Sequence, residues 1–482
     1  MMKVVGIVLI VLAVLLAMLL IVALIKALLT KPGVAATAEV HLDNSERAVE
    51  YGKRLAKMIQ CETVSSRFDD SREKFYEFHK CLEEMFPNVH KVCEKTVLDG
   101  SLLFKWKGNG KHEPILFMSH QDVVAPGTGW EHEPFSGDID SEGRVWGRGT
   151  VDTKGSLFCI FTALEELIES GFKPECDVYI ASSCTEEWNG QGAPMTARYL
   201  KEQGVKIALL IDEGGMILNR PMAGVNGTYA MVGVVEKGYG DVKFTAKGHG
   251  GHASVPKKNS PLVRLGKFMA YVEKKSLFKN QFSPTLEEMF RRLAPNMDFG
   301  MKYIFTNMWL FKPLLKNVIP MINSAAGAMM HTTLAFTTAR GADGLNVLPQ
   351  EAYVTGNMRF IHHQPDGESV DIVRRAAAKF DIETEVIYKD SPCPIVDYKS
   401  DAFRLVENVI AEVYPGIGVS PYIMTGSTDA KYYREVSDNC IRFAPLYINS
   451  QQYASIHSNN ENIYRGALPM GVDFYKEVVR RS

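Results

Sequence analysis

The amino-acid sequence predicts an α/β fold. We expect a mixed, mostly parallel sheet sandwiched by helices, an inserted α+β domain of ferredoxin-like type, and an N-terminal transmembrane helix. Three observations predict this: short apolar runs alternate with segments of helical periodicity, the pattern changes after Glu236, and the first residues are uninterruptedly apolar. At 482 residues the chain is also too long for one ordinary hydrophobic core, so two folded domains are expected.

The N-terminal segment is the first element. Val4–Ile25 contains no charged or strongly polar residue, and as a helix it would span about 33 Å, enough to cross a bilayer. A cleaved signal peptide is the alternative, because residues 36–38 offer an A-x-A-like pattern. The apolar run exceeds a typical signal-peptide core, and Lys26 and Lys31 precede the alanines. We therefore expect an uncleaved single-pass membrane anchor (4–25) and a linker (26–44), with the side of the membrane left open.

Residues 45–236 are predicted to form the first part of the larger domain. Segments with apolar residues at helical spacing are expected to be helices near Glu46–Ile59, Arg72–Met85, Leu157–Glu169 and Met195–Gln203. Short continuous apolar runs between them are expected to be strands at Pro114–Met118, Val178–Ser182 and Ile207–Ile211. Such strands are typical of a mostly parallel sheet that helices cover on both faces.

Residues 237–389 are predicted to form the inserted domain. The order of elements there is βα followed by ββαβ, which is typical of a ferredoxin-like sandwich. These elements are Asp241–Ala246, Pro261–Lys274, Thr332–Thr338, Ala352–Phe360, Ser369–Phe380 and Ile382–Ile387. Between the first helix and the second strand of this domain, residues from about 276 to 330 are expected to form a helical insertion rich in aromatic residues and methionine. After Ser391 helices and strands alternate again, so residues 390–482 are expected to return to the larger domain.

Composition excludes some classes of function. A formal net charge of −2 and a pI near 6.7 give no electrostatic basis for binding nucleic acid, and no basic run interleaved with aromatics occurs. The eight cysteines are scattered, with no CxxC pair and no regular framework, so cysteine usage does not fix the compartment and leaves a disulfide among them open.

Acidic and imidazole side chains follow each predicted strand of the larger domain. They are His120 and Asp122 after the first strand, Glu186 and Glu187 after the second, and Asp212 and Glu213 after the third. In open α/β sheets, ligands gather at the carboxyl ends of the strands. Taken singly, these groups also fit structural roles as a surface pair or as solvated loops.

Two further segments carry groups of the same kind. Asp152 lies in the glycine-rich stretch Val145–Gly155, just ahead of a predicted buried helix, where a helix cap is the structural alternative. His457 lies in a polar loop near the C-terminus. Imidazole nitrogens and carboxylate oxygens are ligands suited to zinc, so the joint pattern indicates a metal site.

The joint order of these motifs resembles the dinuclear zinc aminoacylase/carboxypeptidase family, which includes glutamate carboxypeptidase, succinyl-diaminopimelate desuccinylase and carboxypeptidase S. The likeness covers nearly everything after about residue 45, and its zinc-exopeptidase fold agrees with the predicted α/β class. It is carried by SHQDVV (119–124), GRGTVDTKG (147–155), TEEWNG (185–190), DEGG (212–215), GHGGHASVP (248–256), GLNVLP (344–349), GNMRF (356–360), GSTDA (426–430) and SIHSNNENI (455–463). The apolar N-terminus, the DEGG form and the long helical insertion are most similar to the carboxypeptidase S branch.

The resemblance implies a role for each matching residue. Two Zn²⁺ ions per subunit, with Co²⁺ or Mn²⁺ as substitutes, would be held by His120, Asp152, Glu187, Glu213 and His457. Asp152 would bridge the two ions, and Glu213 matches the family ligand better than Asp212. The catalytic residues would be the general base Glu186, Asp122 orienting His120, and His252 contacting the scissile carbonyl, in many members from the neighbouring subunit. The substrate would be bound by Asn346, Arg359, Gly426, Ser427 and Thr428.

The implied reaction is hydrolysis of an amide bond beside a free α-carboxylate. The substrate would be a small peptide, as for a carboxypeptidase, or alternatively an N-acyl (fatty-acyl) amino acid. The apolar insertion fits greasy substrates, but it equally fits core or a membrane-facing surface. Three further expectations concern partners: a membrane reached through the anchor, no nucleic acid, and a homodimer formed through the inserted lid domain. A catalytically inactive membrane-anchored binding protein and a dinuclear hydrolase acting on another bond remain as rivals.

Overall fold

The computed structural model describes residues 2–36, 38 and 40–482. The helices are α1 (Met2–Leu29), α2 (Glu46–Ile59), α3 (Glu73–Met85), α4 (Pro87–Val92), α5 (Lys154–Glu169), α6 (Gly192–Glu202), α7 (Pro261–Lys274), α8 (Pro284–Leu293), α9 (Phe299–Phe305), α10 (Met308–Ile322), α11 (Ser324–Ala328), α12 (Asp366–Ala378), α13 (Asp401–Val413), α14 (Ser450–Ser455) and α15 (Leu468–Arg481).

The strands fall into one large sheet, one smaller sheet and two short ribbons. They are β1 (Glu94–Leu98), β2 (Ser101–Trp106), β3 (Ile115–Met118), β4 (Arg144–Trp146), β5 (Val178–Ser182), β6 (Leu209–Asp212), β7 (Ile217–Asn219), β8 (Thr228–Glu236), β9 (Gly238–Lys247), β10 (Gly251–His252), β11 (Thr333–Arg340), β12 (Val347–Leu348), β13 (Glu351–Phe360), β14 (Glu383–Lys389), β15 (Gly418–Met424), β16 (Cys440–Arg442), β17 (Tyr447–Ile448) and β18 (Asn462–Tyr464).

The large sheet has the strand order β1-β2-β5-β3-β6-β16-β8-β7-β17, and β15 pairs with β8. The central pairs of β3 with β5, β3 with β6 and β6 with β16 are parallel. At one edge, β1 pairs with β2 and β2 pairs with β5, both antiparallel. This is the mixed, mostly parallel sheet that the sequence predicts. Because β3, β5 and β6 run in the same direction, their carboxyl ends meet at one edge, and the loops that follow them lie side by side.

Helices cover both faces of the large sheet. Along β3, Ile115 and Phe117 pack into a core with α2, α5, α13 and α15, whereas Leu116 and Met118 pack into a second core with α6. Successive side chains of a strand point to opposite faces, so an uninterrupted apolar run is what a doubly covered strand requires. The predicted sandwich is confirmed.

The smaller sheet is antiparallel, in the order β11-β13-β9-β14. Helices α7 and α12 pack on it around a separate core that includes Phe244, Phe268 and Val373. Its chain order of β, α, β, β, α, β is the ferredoxin-like arrangement expected for the inserted lid domain. A short ribbon of β10 and β12 extends from this domain.

Helix α8 of the helical insertion packs on the large sheet, although the insertion lies between lid elements in the sequence. Leu286, Met289 and Phe290 of α8 belong to the same core as Ile423 of β15. Arg292 donates to Val419 O of β15 at 3.0 Å and forms an ion pair with Glu407 of α13. The lid proper is therefore built from the segments on either side of the insertion.

The segment between α1 and α2 is tied to the folded body. Helix α1 continues to Leu29, past the predicted end of the anchor at Ile25. Beyond it, Gly33 N donates to Asn296 Oδ1 at 2.7 Å, and Asp43 N donates to Gly466 O at 3.0 Å. These contacts tie the segment that follows α1 to the helical insertion and to the large domain.

Candidate metal centre

Two groups of metal-ligand side chains lie at the carboxyl edge of the large sheet and share one aspartate. His120, Asp152 and Glu213 form one group, and in each group the ligand atoms lie within 4.8 Å of one another. Asp152, Glu187 and His457 form the other. The fold thus brings together all five side chains that the family resemblance implies as ligands, although their loops are up to several hundred residues apart.

Asp152 is the centre of both groups. One carboxylate oxygen lies 3.0 Å from His120 Nε2, and the other lies 3.0 Å from His457 Nε2. Glu187 reaches the same imidazole nitrogen of His457 at 3.0 Å. Glu213, and not Asp212, turns towards the cluster, since Asp212 accepts hydrogen bonds from Glu213 N at 2.9 Å and Ala430 N at 2.8 Å.

Glu461 holds the loop that carries Asp152. Its fully buried carboxylate accepts from Val151 N at 2.8 Å and Asp152 N at 3.0 Å, and also from Gly149 N at 3.1 Å. The same carboxylate pairs with the buried Arg148 guanidinium at 2.7 Å. Glu461 lies just beyond the loop of His457, so it joins the two loops that hold this aspartate and this imidazole. Sequence reasoning gave it no role.

Asp122 orders the neighbouring groups through its backbone and its side chain. Its carbonyl oxygen lies 2.8 Å from Nδ1 of His120, whereas its carboxylate is 3.5 Å from that nitrogen. The carboxylate instead accepts from Glu186 N at 3.2 Å and Glu187 N at 3.1 Å. Asp122 thereby fixes the imidazole of His120 and the turn that presents both glutamates.

The buried negative charges of the cluster require positive charge nearby. Burial, together with the charges of Asp152 and Asp212, raises the pKa of Glu213 well above its usual range. Hydrogen bonds that His457 donates to the carboxylates of Asp152 and Glu187 raise its pKa to about 10. Three carboxylates in one small volume repel one another unless positive charge lies among them. The donor set of three carboxylates and two imidazoles therefore fits a pair of divalent metal ions.

Glu186 differs from its neighbour Glu187. Within the described part of the chain its carboxylate has no hydrogen-bond partner, and it belongs to neither group of ligands. Burial and the charges of Asp429, Glu213 and Glu187 raise its pKa well above the usual range. An uncommitted carboxylate beside a metal site is suited to accept and release protons.

Two cationic side chains lie at the ring of Tyr239, one from the lid and one from the large domain. Arg359 of the lid stacks on Tyr239, with its guanidinium carbon 4.6 Å from the ring centre, and its buried Nη1 lacks a hydrogen-bond partner among the described residues. Lys431 approaches the same ring at 5.8 Å and donates to Asn189 Oδ1 at 2.6 Å. Lys431 is buried and lies near the turn of Glu186 and Glu187, and sequence reasoning missed it.

The loop of Gly426, Ser427 and Thr428 is engaged within the protein. Ser427 Oγ donates to Glu236 at 2.8 Å, and Thr428 N donates to the same carboxylate at 3.2 Å. Glu236 in turn forms a fully buried ion pair with Arg442 at 3.0 Å. The loop therefore lies beside Lys431 but is held in place by a carboxylate at the end of β8.

His252 and Asn346 lie next to each other on the lid. The ribbon of β10 and β12 places His252 opposite Val347, and Ala253 N donates to Asn346 O at 2.9 Å. Both side chains are exposed, and among the described residues the imidazole of His252 bonds only to Ser254, with 2.7 Å between Nδ1 and Oγ. Among the described residues these two have no contact with the ligand cluster.

Comparison with known proteins identifies the family. The model of peptidase family M20/M25/M40 matches residues 116–481. The chain therefore belongs to this family and is a metal-dependent hydrolase of the class that acts on peptide and amide bonds. The predicted family is confirmed.

Individual relatives span almost the whole chain. The probable carboxypeptidase S-like protein 2 of Dictyostelium discoideum is 30% identical over 469 residues, which cover 94% of this chain and 89% of that protein. The N-fatty-acyl-amino acid synthase/hydrolase PM20D1 of Xenopus tropicalis is 31% identical over 437 residues, which cover 89% of this chain and 85% of that protein. In fold, the M20 family metallo-carboxypeptidase Sso-CP2 from Sulfolobus solfataricus matches with a TM-score of 0.66 at 16% identity, over 89% of this chain and 98% of that one.

Proposed function

We propose that this chain is a carboxypeptidase S-like metallopeptidase that hydrolyses an amide bond beside a free α-carboxylate. The observation that carries the proposal is the pair of ligand groups sharing Asp152, with the uncommitted carboxylate of Glu186 beside them. The family relationship restricts the chemistry to hydrolysis of peptide and amide bonds, and the two cations at the ring of Tyr239 support a requirement for a substrate carboxylate.

The five clustered side chains would hold two Zn²⁺ ions, or Co²⁺ or Mn²⁺ in their place. His120 and Glu213 would bind one ion and Glu187 and His457 the other, with Asp152 shared. Zinc supplies a Lewis acid that polarises a carbonyl group and makes water more acidic. Glu461 would keep Asp152 in place, because it accepts hydrogen bonds from the backbone N–H groups of Asp152 and of Val151 before it.

Glu186 would take a proton from the attacking water and deliver it to the departing amine. Its freedom from other hydrogen bonds supports this role, since a carboxylate fixed by N–H donors is a weaker base. Asp122 would act as a positioning residue by holding the backbone of Glu186 and the ring of His120.

The α-carboxylate of the substrate would bind between Arg359 and Lys431, which flank the ring of Tyr239. An arginine fork binds both oxygens of a carboxylate, and the unpaired Nη1 of Arg359 is a donor free to do so. Gly426, Ser427 and Thr428 would line the same region, with their positions fixed through Glu236.

His252 and Asn346 would complete the site of a second copy of the chain. They are exposed on the lid ribbon beside the exposed apolar side chains of Val255, Leu345 and Val347. An apolar rim of this kind around polar catalytic groups favours association of lids in a homodimer. In the dimer, His252 would stabilise the developing oxyanion on the scissile carbonyl.

An N-fatty-acyl amino acid is the second candidate substrate, and an apolar cavity favours it. The cavity, of about 410 Å³, begins at Gly214, next to Glu213, and extends under the helical insertion. Its wall includes five methionines: Met216, Met222, Met231, Met289 and Met329. Methionine side chains adapt to flexible apolar ligands. The relative named as an N-fatty-acyl-amino acid synthase/hydrolase is consistent with this candidate.

Full-length, zinc-reconstituted protein assayed on matched substrates tests these proposals. The panel comprises dipeptides, N-acyl amino acids of increasing chain length, and the same compounds with the α-carboxylate amidated. We expect chelator-sensitive hydrolysis of the free acids only. Equal cleavage of the amidated compounds would favour a hydrolase of another bond, and zinc-loaded protein without any turnover would favour a binding protein.

The acyl-chain candidate has its own test within the panel. If the cavity holds the chain, kcat/KM rises with acyl length, and Met329→Trp lowers it for long acyl groups while dipeptide turnover is kept. If Met329→Trp lowers kcat/KM equally for both kinds of substrate, or if kcat/KM does not depend on acyl length, the acyl-chain candidate is contradicted. The carboxypeptidase proposal is not affected by either result.

A further inference from the structure

The helical insertion has an outer face that is apolar and exposed. On α10, Trp309 and Leu314 are exposed, and at the end of this helix Met321 and Ile322 are 84% and 76% exposed. Leu315 and Ile319 of the same helix are buried and attach it to the folded body. A soluble protein rarely displays so many large apolar side chains together, so this face needs a partner.

The sequence of the insertion indicates which partner it is. Between Phe299 and Met330 there is no acidic residue, and the charged residues are Lys302, Lys312 and Lys316. Lysines, an exposed tryptophan and large aliphatic side chains on one helix are typical of segments that lie in the interface of a bilayer.

Contacts between the insertion and α1 are a second observation, and they indicate where the insertion lies relative to a bilayer that α1 would cross. Tyr303 Oη donates to Leu20 O at 3.2 Å, and Asn307 Nδ2 donates to Ala23 O at 2.9 Å. Ala23 and Ala27 are buried against the insertion, at 0% and 1% exposure. Small residues allow such close approach of two helices.

The position of these contacts along α1 places the insertion at the membrane. The stretch that can cross a bilayer is Val4–Leu29, of 26 residues, whereas the hydrocarbon core requires about 20. Any 20-residue window within this stretch contains both Leu20 and Ala23. Tyr303 and Asn307 therefore bond to backbone that lies within or at the edge of the hydrocarbon core.

We propose that the outer face of the insertion, Phe299–Ile322, lies in the interface of the bilayer that α1 crosses. The enzyme is then attached to the membrane by a spanning helix and by an embedded flank of its large domain, and not held away from it on a flexible stalk. The hydrogen bonds of Gly33 and Asp43 to the folded body keep the two parts together. The proposal requires α1 to remain in the mature chain and does not depend on the catalytic assignment.

Fluorescence quenching in vesicles tests the proposal. Full-length protein is reconstituted in phosphatidylcholine vesicles whose acyl chains are either brominated or plain, and tryptophan emission is compared. The chain has five tryptophans, and we expect brominated lipid to quench the emission of Trp309. The quenching is therefore lost in Trp309→Phe and in Trp309→Tyr, and it is retained in the control Trp106→Phe, since Trp106 lies buried in β2.

Each alternative gives its own result. Equal quenching in wild type and both Trp309 variants, or none in wild type, overturns the proposal. Shielding of Trp309 from acrylamide without quenching by brominated lipid would mean that another protein surface covers this face. An intact mass showing that α1 has been removed would also overturn it. If one of the two Trp309 variants does not fold, the other decides, because each removes the same indole.

Discussion

Glu461 provides the sharpest test of how the site is held together. In Glu461→Gln the side-chain oxygen can still accept from Val151 N and Asp152 N. The new amide nitrogen, however, faces Gly149 N and the guanidinium of Arg148. All three groups are hydrogen-bond donors, so neither hydrogen bond to Glu461 can be replaced. Both charged partners are almost fully buried. Removing one partner of a buried ion pair costs about 3–5 kcal/mol, because the other charge remains without compensation.

Urea unfolding of the zinc-loaded and zinc-free proteins measures this cost. We expect Glu461→Gln to lower the free energy of unfolding by about 3–5 kcal/mol and to weaken zinc binding, because the loop of Asp152 loses its support. Glu142→Gln is the matched control: its partner Arg144 is 3.1 Å away, but Glu142 is 61% exposed, and such pairs contribute about 0–1 kcal/mol. A loss below about 1 kcal/mol for Glu461→Gln, with zinc affinity unchanged, would refute the reasoning.

Three further predictions follow from single side chains. Glu186→Gln should keep both metals while kcat falls about 10²- to 10⁴-fold, and ordinary turnover with zinc content verified would contradict its proton-transfer role. Lys431→Met should raise KM about 10- to 100-fold for substrates with a free carboxylate, and an equal effect on amidated substrates would argue against a carboxylate contact. Burial lowers the pKa of His79 to about 4, below its unfolded value, so its contribution to stability is present above about pH 6.5 and is lost as the pH falls towards 4. His79→Gln should flatten the pH dependence of the free energy of unfolding in that range, and an unchanged slope would count against this assignment.

Local sequence patterns predicted much of the fold. The bounds of α2, α7 and β5 agree with the prediction, because each has a clean apolar pattern and clear turn residues at its ends. Strand β15 was missed, since Pro421 within it is unusual for an interior strand and its register with β8 shifts between Tyr422 and Ile423. Strand β8 was also missed, although all nine of its residues are buried.

The candidate site was predictable only in part. The groups at the ends of β3, β5 and β6 share a sheet edge, so their convergence follows from the parallel topology. Glu461 acts on Asp152 across 309 positions of sequence, and Lys431 meets Arg359 only through a ring contributed by β9 of the lid. Such contacts depend on how distant loops and domains pack, and no local periodicity records that packing.

The proposed site requires one aspartate to be shared by two metal ions, and the metal content of the protein tests this requirement most directly. Elemental analysis of the purified, zinc-reconstituted chain should give about two zinc ions per chain, with about one retained in His457→Ala and almost none in Asp152→Asn. Two ions retained in Asp152→Asn, with its fold intact, would contradict the account.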